Sequence, residues 1–233
     1  AINPNGSTYS NNATLSIRLP ENLAEFNGSL AAYYPFNGNA NDESGNGHHG
    51  TVNGATLATD RNGVASKAYN FDGVNDRIDI PETIFGPSIE EFTISAWILS
   101  RSGEGDVLRK GAVNGEAVLE VDNGEVFFRA KQSNAAWHSV SGSAIPLNQH
   151  VHLVGTYKKG QELAVWVNGV LKANIAVPNQ NLYQTGGHYS SIGANRVASG
   201  SDFVDGVIDE VRVYNRALGG AEVERLYGLE NLL

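Results

Sequence analysis

The 233-residue chain has no cysteine and no methionine. Without cysteine there is no disulfide framework, no thiol nucleophile and no Cys-ligated zinc. Secretion is not excluded, because a large core can replace covalent staples. Without methionine, even at position 1, the chain reads as a processed or excised piece of a multidomain protein, with any targeting signal outside it. No stretch approaches the ~20 apolar residues of a membrane helix, so no membrane insertion is expected. Positive charge is scarce: 16 Lys and Arg face 25 Asp and Glu, a formal net charge of −9. Such a surface repels phosphate backbones, which excludes nucleic acid as a partner, and it suits a soluble extracellular protein able to hold hard cations. Phosphate-binding loops, Gly-rich nucleotide motifs and a Ser-His-Asp order are also missing.

What is there is many short apolar runs separated by Gly- and Asn-rich turns, with 27 glycines in all. Residues 1–29 read as a polar linker or N-terminal extension with one strand, Ala13–Leu19, whose Leu15, Ile17 and Leu19 alternate with polar neighbours. From Leu30 strands follow closely. Phe92–Leu99 is apolar at every second position and nearly so between, as a central strand should be. Asp122-Asn123-Gly124 and Asn168-Gly169 are tight-hairpin signatures. One amphipathic helix is evident in Gly220–Tyr227, where Val223, Leu226 and Tyr227 share a face. Strands without βα alternation predict an all-β, two-sheet antiparallel jelly-roll sandwich over residues 30–233, with one short C-terminal helix.

Four segments in order carry a resemblance. They are Ala32–Gly50 (AYYPFNGNANDESGNGHHG), Tyr69–Asp76 (YNFDGVND), Val165–Gly169 (VWVNG) and Gly206–Leu218 (GVIDEVRVYNRAL). Together they resemble the LamG-like jelly-roll domains of the concanavalin A-like lectin/glucanase superfamily. The resemblance covers about residues 30–228 and implies a ligand-binding module, with fold more firmly implied than ligand. It also implies a structural calcium ion held by an acidic residue of the Ile208-Asp209-Glu210 segment. Asp42 is the best ligand in the oxygen-rich loop at 37–50, with Asp209 as its partner from the last strand and Asn46 or His49 nearby. The alternative is that Asp42 and Asn46 only cap turns through side-chain bonds to backbone. Zinc is not expected: His48 and His49 point to opposite faces of an extended chain, and His150 and His152 have no third ligand.

A sugar site combines an aromatic platform with planar polar groups. Trp137, flanked by Asn134 and His138, is the candidate platform, with a core role as the open alternative. Arg101 and Asp106 lie in one loop region, and Asn195, Arg196 and Asp202 in another; all five join the site if these loops meet at one rim. Trp97 and Trp166 read as packing residues. The letters of Glu120–Glu125 (EVDNGE) resemble the acid/nucleophile motif of glucanases sharing the superfamily, but the intervening turn sets Glu120 and Glu125 against each other across a hairpin. A pentraxin-type paired-calcium site would need an acidic cluster near 113–116 and 193–196, where this chain has few carboxylates. The expectation is therefore a non-catalytic module of a secreted or cell-surface protein that binds a polysaccharide or glycan, or else an extracellular protein as an interaction or spacer domain.

Overall fold

A computed structural model describes Phe26 and residues 28–85, 89–111, 117–183, 190–195 and 202–231. The strand expected at Ala13–Leu19, the ligand candidate Arg196 and residues 113–116 lie outside these residues.

The described residues form two antiparallel sheets, as the alternating patterns predict. The strands of the first are β1 (Leu30–Tyr34), β3 (Thr56–Ala58), β4 (Ala68–Asp72), β6 (Glu91–Ser100), β11 (His150–Lys158), β12 (Glu162–Val167), β13 (Val170–Ala176) and β15 (Asp205–Tyr214). Their order is β13-β12-β11-β6-β15-β4-β3, with β1 also paired to β15. The second sheet runs β10 (Trp137–Ala144), β9 (Glu125–Lys131), β8 (Ala117–Asp122), β7 (Gly105–Lys110), β14 (Ser190–Ile192), β5 (Arg77–Ile80), β2 (Thr51–Asn53). The core between them includes Phe71, Ile78, Ile94, Ile98, Leu119, Phe128, Leu153 and Ile208, all fully buried. First and last strands are neighbours, as the resemblance implies: Tyr33 pairs with Arg212. Both Asn-Gly turns adopt positive φ at each residue, 51° then 75°, which matches the twist of the strands they join.

β6 is buried on both faces for two separate reasons. Phe92, Ile94, Ala96 and Ile98 face the inter-sheet core. The opposite face is covered by helix α1 (Gly220–Glu230), whose Tyr227 ring stacks on Trp97 at 5.7 Å between centroids. Under α1, Val223 and Leu226 join Phe26, Val154, Tyr214 and Leu218 in a second apolar cluster.

Two β-bulges determine which side chains face out. In β15 the register shifts between Asp209 and Arg212, and Glu210 has φ 52°. The extra residue resets the alternation, so that Ile208 and Val211, three apart, both enter the core. It also marks where β15 changes neighbour, from β4 to β1. In β7 the register shifts between Asp106 and Leu108, and Val107 and Leu108 both point inward. Asp106 and Arg109, also three apart, therefore share the outer face.

Candidate ligand-binding face

Register across the second sheet places its outer face in rows. Directly opposed residues share a face. One row reads Ser139–Arg129–Val118–Arg109–Ser191 across β10, β9, β8, β7 and β14. The next towards the Asn123-Gly124 turn reads Ser141–Phe127–Glu120–Asp106. On the other side Trp137 is opposite Lys131. Over this face lies a hollow of about 370 Å³ lined by Arg109, Val118, Glu120, Arg129, Trp137 and Ser139.

The hollow has an ionic floor. Arg109 holds Asp106 with both Nε and Nη2, the second at 3.2 Å, and its Nη2 lies 3.7 Å from Glu120 and 3.9 Å from Asp202. Arg129 reaches Glu120 at 2.7 Å, a close ion contact without the alignment of a hydrogen bond, and donates to Asp122 at 3.0 Å. Burial pushes the Glu120 carboxyl up to about 8, helped by the charge of Asp106 beside it. Burial also raises Asp106, opposed by the two-point grip of Arg109. Both neighbouring carboxyls therefore hold a proton more readily than they would in water. Above the floor the Trp137 ring is 41% exposed, enough to offer a platform rather than serve as core.

Of the ligand candidates read from the sequence, Trp137 lines the hollow and Asp106 lies in its floor. Asp202 joins the floor through Arg109, and Asn195 donates to Asp202 at 2.8 Å. Arg101 does not join them: its guanidinium is taken by Asp205 at 2.7 Å and by Asn70. Sequence reasoning missed Arg109 and Arg129, since nothing in VLRK or FFRAK separates an outward arginine of a site from any solvated one.

The expected calcium ligands have other occupations. Asp42 Oδ1 accepts the N–H groups of Tyr33 and Ser44, both at 2.9 Å, and Oδ2 accepts that of His48 at 2.9 Å. These N–H bonds hold its carboxyl below the usual range although burial opposes them. His49 Nδ1 accepts the Asp42 N–H, and Asn46 donates to the carbonyls of Leu30 and Ala31. Asp209 binds Arg61 at 2.7 Å instead. Asp42, Asn46 and His49 thus brace their loop against β1, which is the turn-capping alternative. No group of three or more His, Asp or Glu suited to a metal ion occurs among the described residues. Asp42 and Asp209 thus have separate partners in this arrangement.

Register also corrects the hairpin pairing: Glu120 is opposite Phe127, and Glu125 is opposite Asp122. A second arrangement invites a catalytic reading and fails it. Ser95 Oγ lies 2.7 Å from His152 Nε2, and Glu230 Oε2 lies 3.2 Å from the same nitrogen. In a working triad the acid binds the other ring nitrogen. His152 Nδ1 has no partner, and Ser95, His152 and Glu230 are all fully buried beneath α1.

The profile of the Concanavalin A-like lectin/glucanases superfamily (Laminin G type) matches residues 72–224. The chain belongs to this family. No curated protein matches it. Solved structures share the fold at low identity. The binding domain of Paraclostridial Mosquitocidal Protein 1 is 20% identical with a TM-score of 0.69, covering 87% of this chain and 52% of that one. The Botulinum neurotoxin serotype D binding domain is 14% identical with a TM-score of 0.71, over 90% of this chain and 53% of that one. Domain 4 of AbnA, a GH43 extracellular arabinanase from Geobacillus stearothermophilus solved with arabinotriose, is 21% identical with a TM-score of 0.66, over 85% of this chain and 98% of that domain. The chain thus spans about half the length of the toxin binding domains and nearly all of the arabinanase domain.

Proposed function

We propose that this family member is a glycan-binding module of a larger secreted or cell-surface protein, and that it holds its ligand on the outer face of the seven-stranded sheet without acting on it. The observation that carries the reading is the hollow in which an exposed Trp137 ring stands beside planar donors and acceptors from Arg109, Glu120 and Arg129. A sugar needs an apolar platform for its C–H face and polar groups held in fixed positions for its hydroxyls. The ion pairs hold those groups before the ligand arrives, which lowers the ordering cost of binding. That similar folds serve as toxin binding domains and as an arabinanase domain solved with arabinotriose is in keeping with this role.

Hydrolysis does not suit this floor. A glycosidase needs two carboxyls flanking the scissile bond, one of them a free nucleophile or base. Glu120 is one carboxyl in the hollow, but Asp106 is sealed beneath it by Arg109, and Glu125 sits at the hairpin turn. Binding to a panel of immobilised polysaccharides and oligosaccharides tests the proposal. Trp137→Ala is expected to abolish binding with little change in the thermal midpoint, since that ring lies outside both apolar clusters. Binding that survives Trp137→Ala and Arg129→Ala together would move the site elsewhere. A null panel combined with capture of a defined extracellular protein would replace the reading with a protein-interaction role.

A further inference from the structure

Lys131 is the last residue of β9 and stands directly opposite Trp137 of β10. Its neighbour Ala130 faces the core, so Lys131 and Trp137 both leave the outer face. The segment 180–183 runs along the other side of this end of β9. It is held there by the bridge between Gln132 and Leu182, by the Tyr183 N–H donating to the Lys131 carbonyl at 2.8 Å, and by the Ser133 N–H donating to that of Asn181 at 2.8 Å. Leu182 enters the core, which turns Tyr183 to the outer face. Trp137, Lys131 and Tyr183 thus make a further row beside Ser139–Arg129–Val118, adjoining the hollow through Trp137.

The ammonium of Lys131 lies 4.3 Å from the centre of the Tyr183 ring and 5.9 Å from that of Trp137, and the residue is only 6% exposed. Two aromatic rings determine where it stands. Among the described residues it has no carboxylate partner and no hydrogen-bond acceptor. Arg109 and Arg129 differ in this, since both already contact carboxylates. An ammonium carries three donors, and a ring face is a weaker partner for them than an oxygen. The long side chain is also ordered before anything binds, so an incoming oxygen gains a charge-assisted hydrogen bond at little further ordering cost.

We propose, resting on the glycan-binding reading above, that Lys131 is a further ligand-binding residue, donating to an oxygen of the sugar unit held on Trp137, and that Tyr183 is the residue that positions it. The acceptor is a sugar hydroxyl or a sugar carboxylate, since an ammonium is a point donor that takes either without a fixed plane. Trp137 then supplies the apolar contact and Lys131 the polar one from directly opposite positions on neighbouring strands.

The test is titration calorimetry on the full chain with arabinotriose, xylotriose, galactotriose, trigalacturonate and the tightest glycan of the panel as probes. For each probe that binds, Lys131→Met, which keeps an apolar stem between the rings, is expected to weaken binding about tenfold or more. Lys131→Arg should recover part of that loss. Tyr183→Ala should weaken binding a few-fold, and Tyr183→Phe, which keeps the ring face, should not. Where both galactotriose and trigalacturonate bind, a larger loss for the acid identifies a carboxylate acceptor and equal losses a hydroxyl. Lysine side-chain NMR on the wild-type chain covers the case in which a variant misfolds: the Lys131 ammonium signal should shift, and its protons exchange more slowly, with a probe bound. A Lys131 signal unmoved at saturation, or a folded Lys131→Met variant that binds as tightly as wild type while Trp137→Ala does not bind, overturns this inference and leaves the glycan-binding role standing. Failure of every probe and of the whole panel overturns both.

Discussion

At the scale of single residues, Glu120 has a measurable signature in stability. Its carboxyl ordinarily titrates near 4.5 and is pushed up to about 8 in the fold. The folded state thus binds this proton more tightly than the unfolded chain does. The contribution is fully present below about pH 4.5 and is withdrawn as pH rises towards 8. Asp209, pushed by burial up to about 7 from an ordinary 3.8, acts in the same direction over a lower window. The thermal midpoint should therefore fall between pH 5 and pH 9, and Glu120→Gln should flatten the upper part of that fall. Differential scanning calorimetry at fixed ionic strength measures it; a wild-type midpoint that rises over this interval contradicts the assignment.

Glycine positions set another limit at this scale. At Gly155 on β11 an added Cβ would lie 2.4 Å from the Phe128 ring, which crosses from the opposite sheet. Gly193 has φ 84°, and its Cβ would meet the Phe71 ring at 2.2 Å. Gly155→Ala drives a methyl group into the Phe128 ring of the facing sheet and should cost at least about 1–3 kcal/mol in urea unfolding. Gly193→Ala adds backbone strain to the same kind of clash and should cost more.

Among the elements, α1 is pinned by its last residue. Glu230 is an acid at the negative end of the helix dipole, an unfavourable place on its own. Its partners account for it: Arg212 contacts Oε1, while the Trp97 indole donates to Oε2 at 2.6 Å. Arg212 is itself buried, held also by Glu210 at 2.6 Å and by the Tyr33 ring at 4.1 Å. Removing one partner of a buried pair strands the other, so Glu230→Ala should destabilise by about 3–5 kcal/mol. Loss of Trp97 fluorescence quenching or a shift in its emission would report whether α1 detaches before the sheets unfold.

The β7 bulge is the element that makes the site. In an unbroken strand Asp106 and Arg109 would point to opposite faces. With one residue more, both face out and Asp106 becomes the anchor of Arg109. Alternation in the sequence does not reveal this, because consecutive Val107 and Leu108 both face inward at the bulge and the period-2 pattern breaks there.

At the scale of the whole molecule, the first and last of the described strands meet in the first sheet, since β1 joins β15 beside the central β6. The resemblance implies a calcium ion bridging this join. The structure gives the join its own partners instead, with Asp42 accepting the Tyr33 N–H and Tyr33 donating to Glu210 at 2.8 Å. Thermal unfolding with EDTA and with added calcium is thus expected to give one unmoved midpoint. A rise that grows with calcium concentration would show a bound ion and a rearranged loop.

The sequence by itself determined the two-sheet class, the Asn-Gly hairpins, the C-terminal helix and the family, because alternation, turn chemistry and amphipathic spacing are local properties of a chain. It also offered Trp137, Asp106, Asn195 and Asp202 as ligand candidates, though not Arg109 and Arg129. Only the tertiary structure decided which of these face a common hollow, that Arg101 turns away to Asp205, and that Asp42 and Asp209 have separate partners. The reason is physical: which face a strand residue occupies, and what lies opposite it, depends on register and bulges, and these are fixed by pairing with strands far away in the chain.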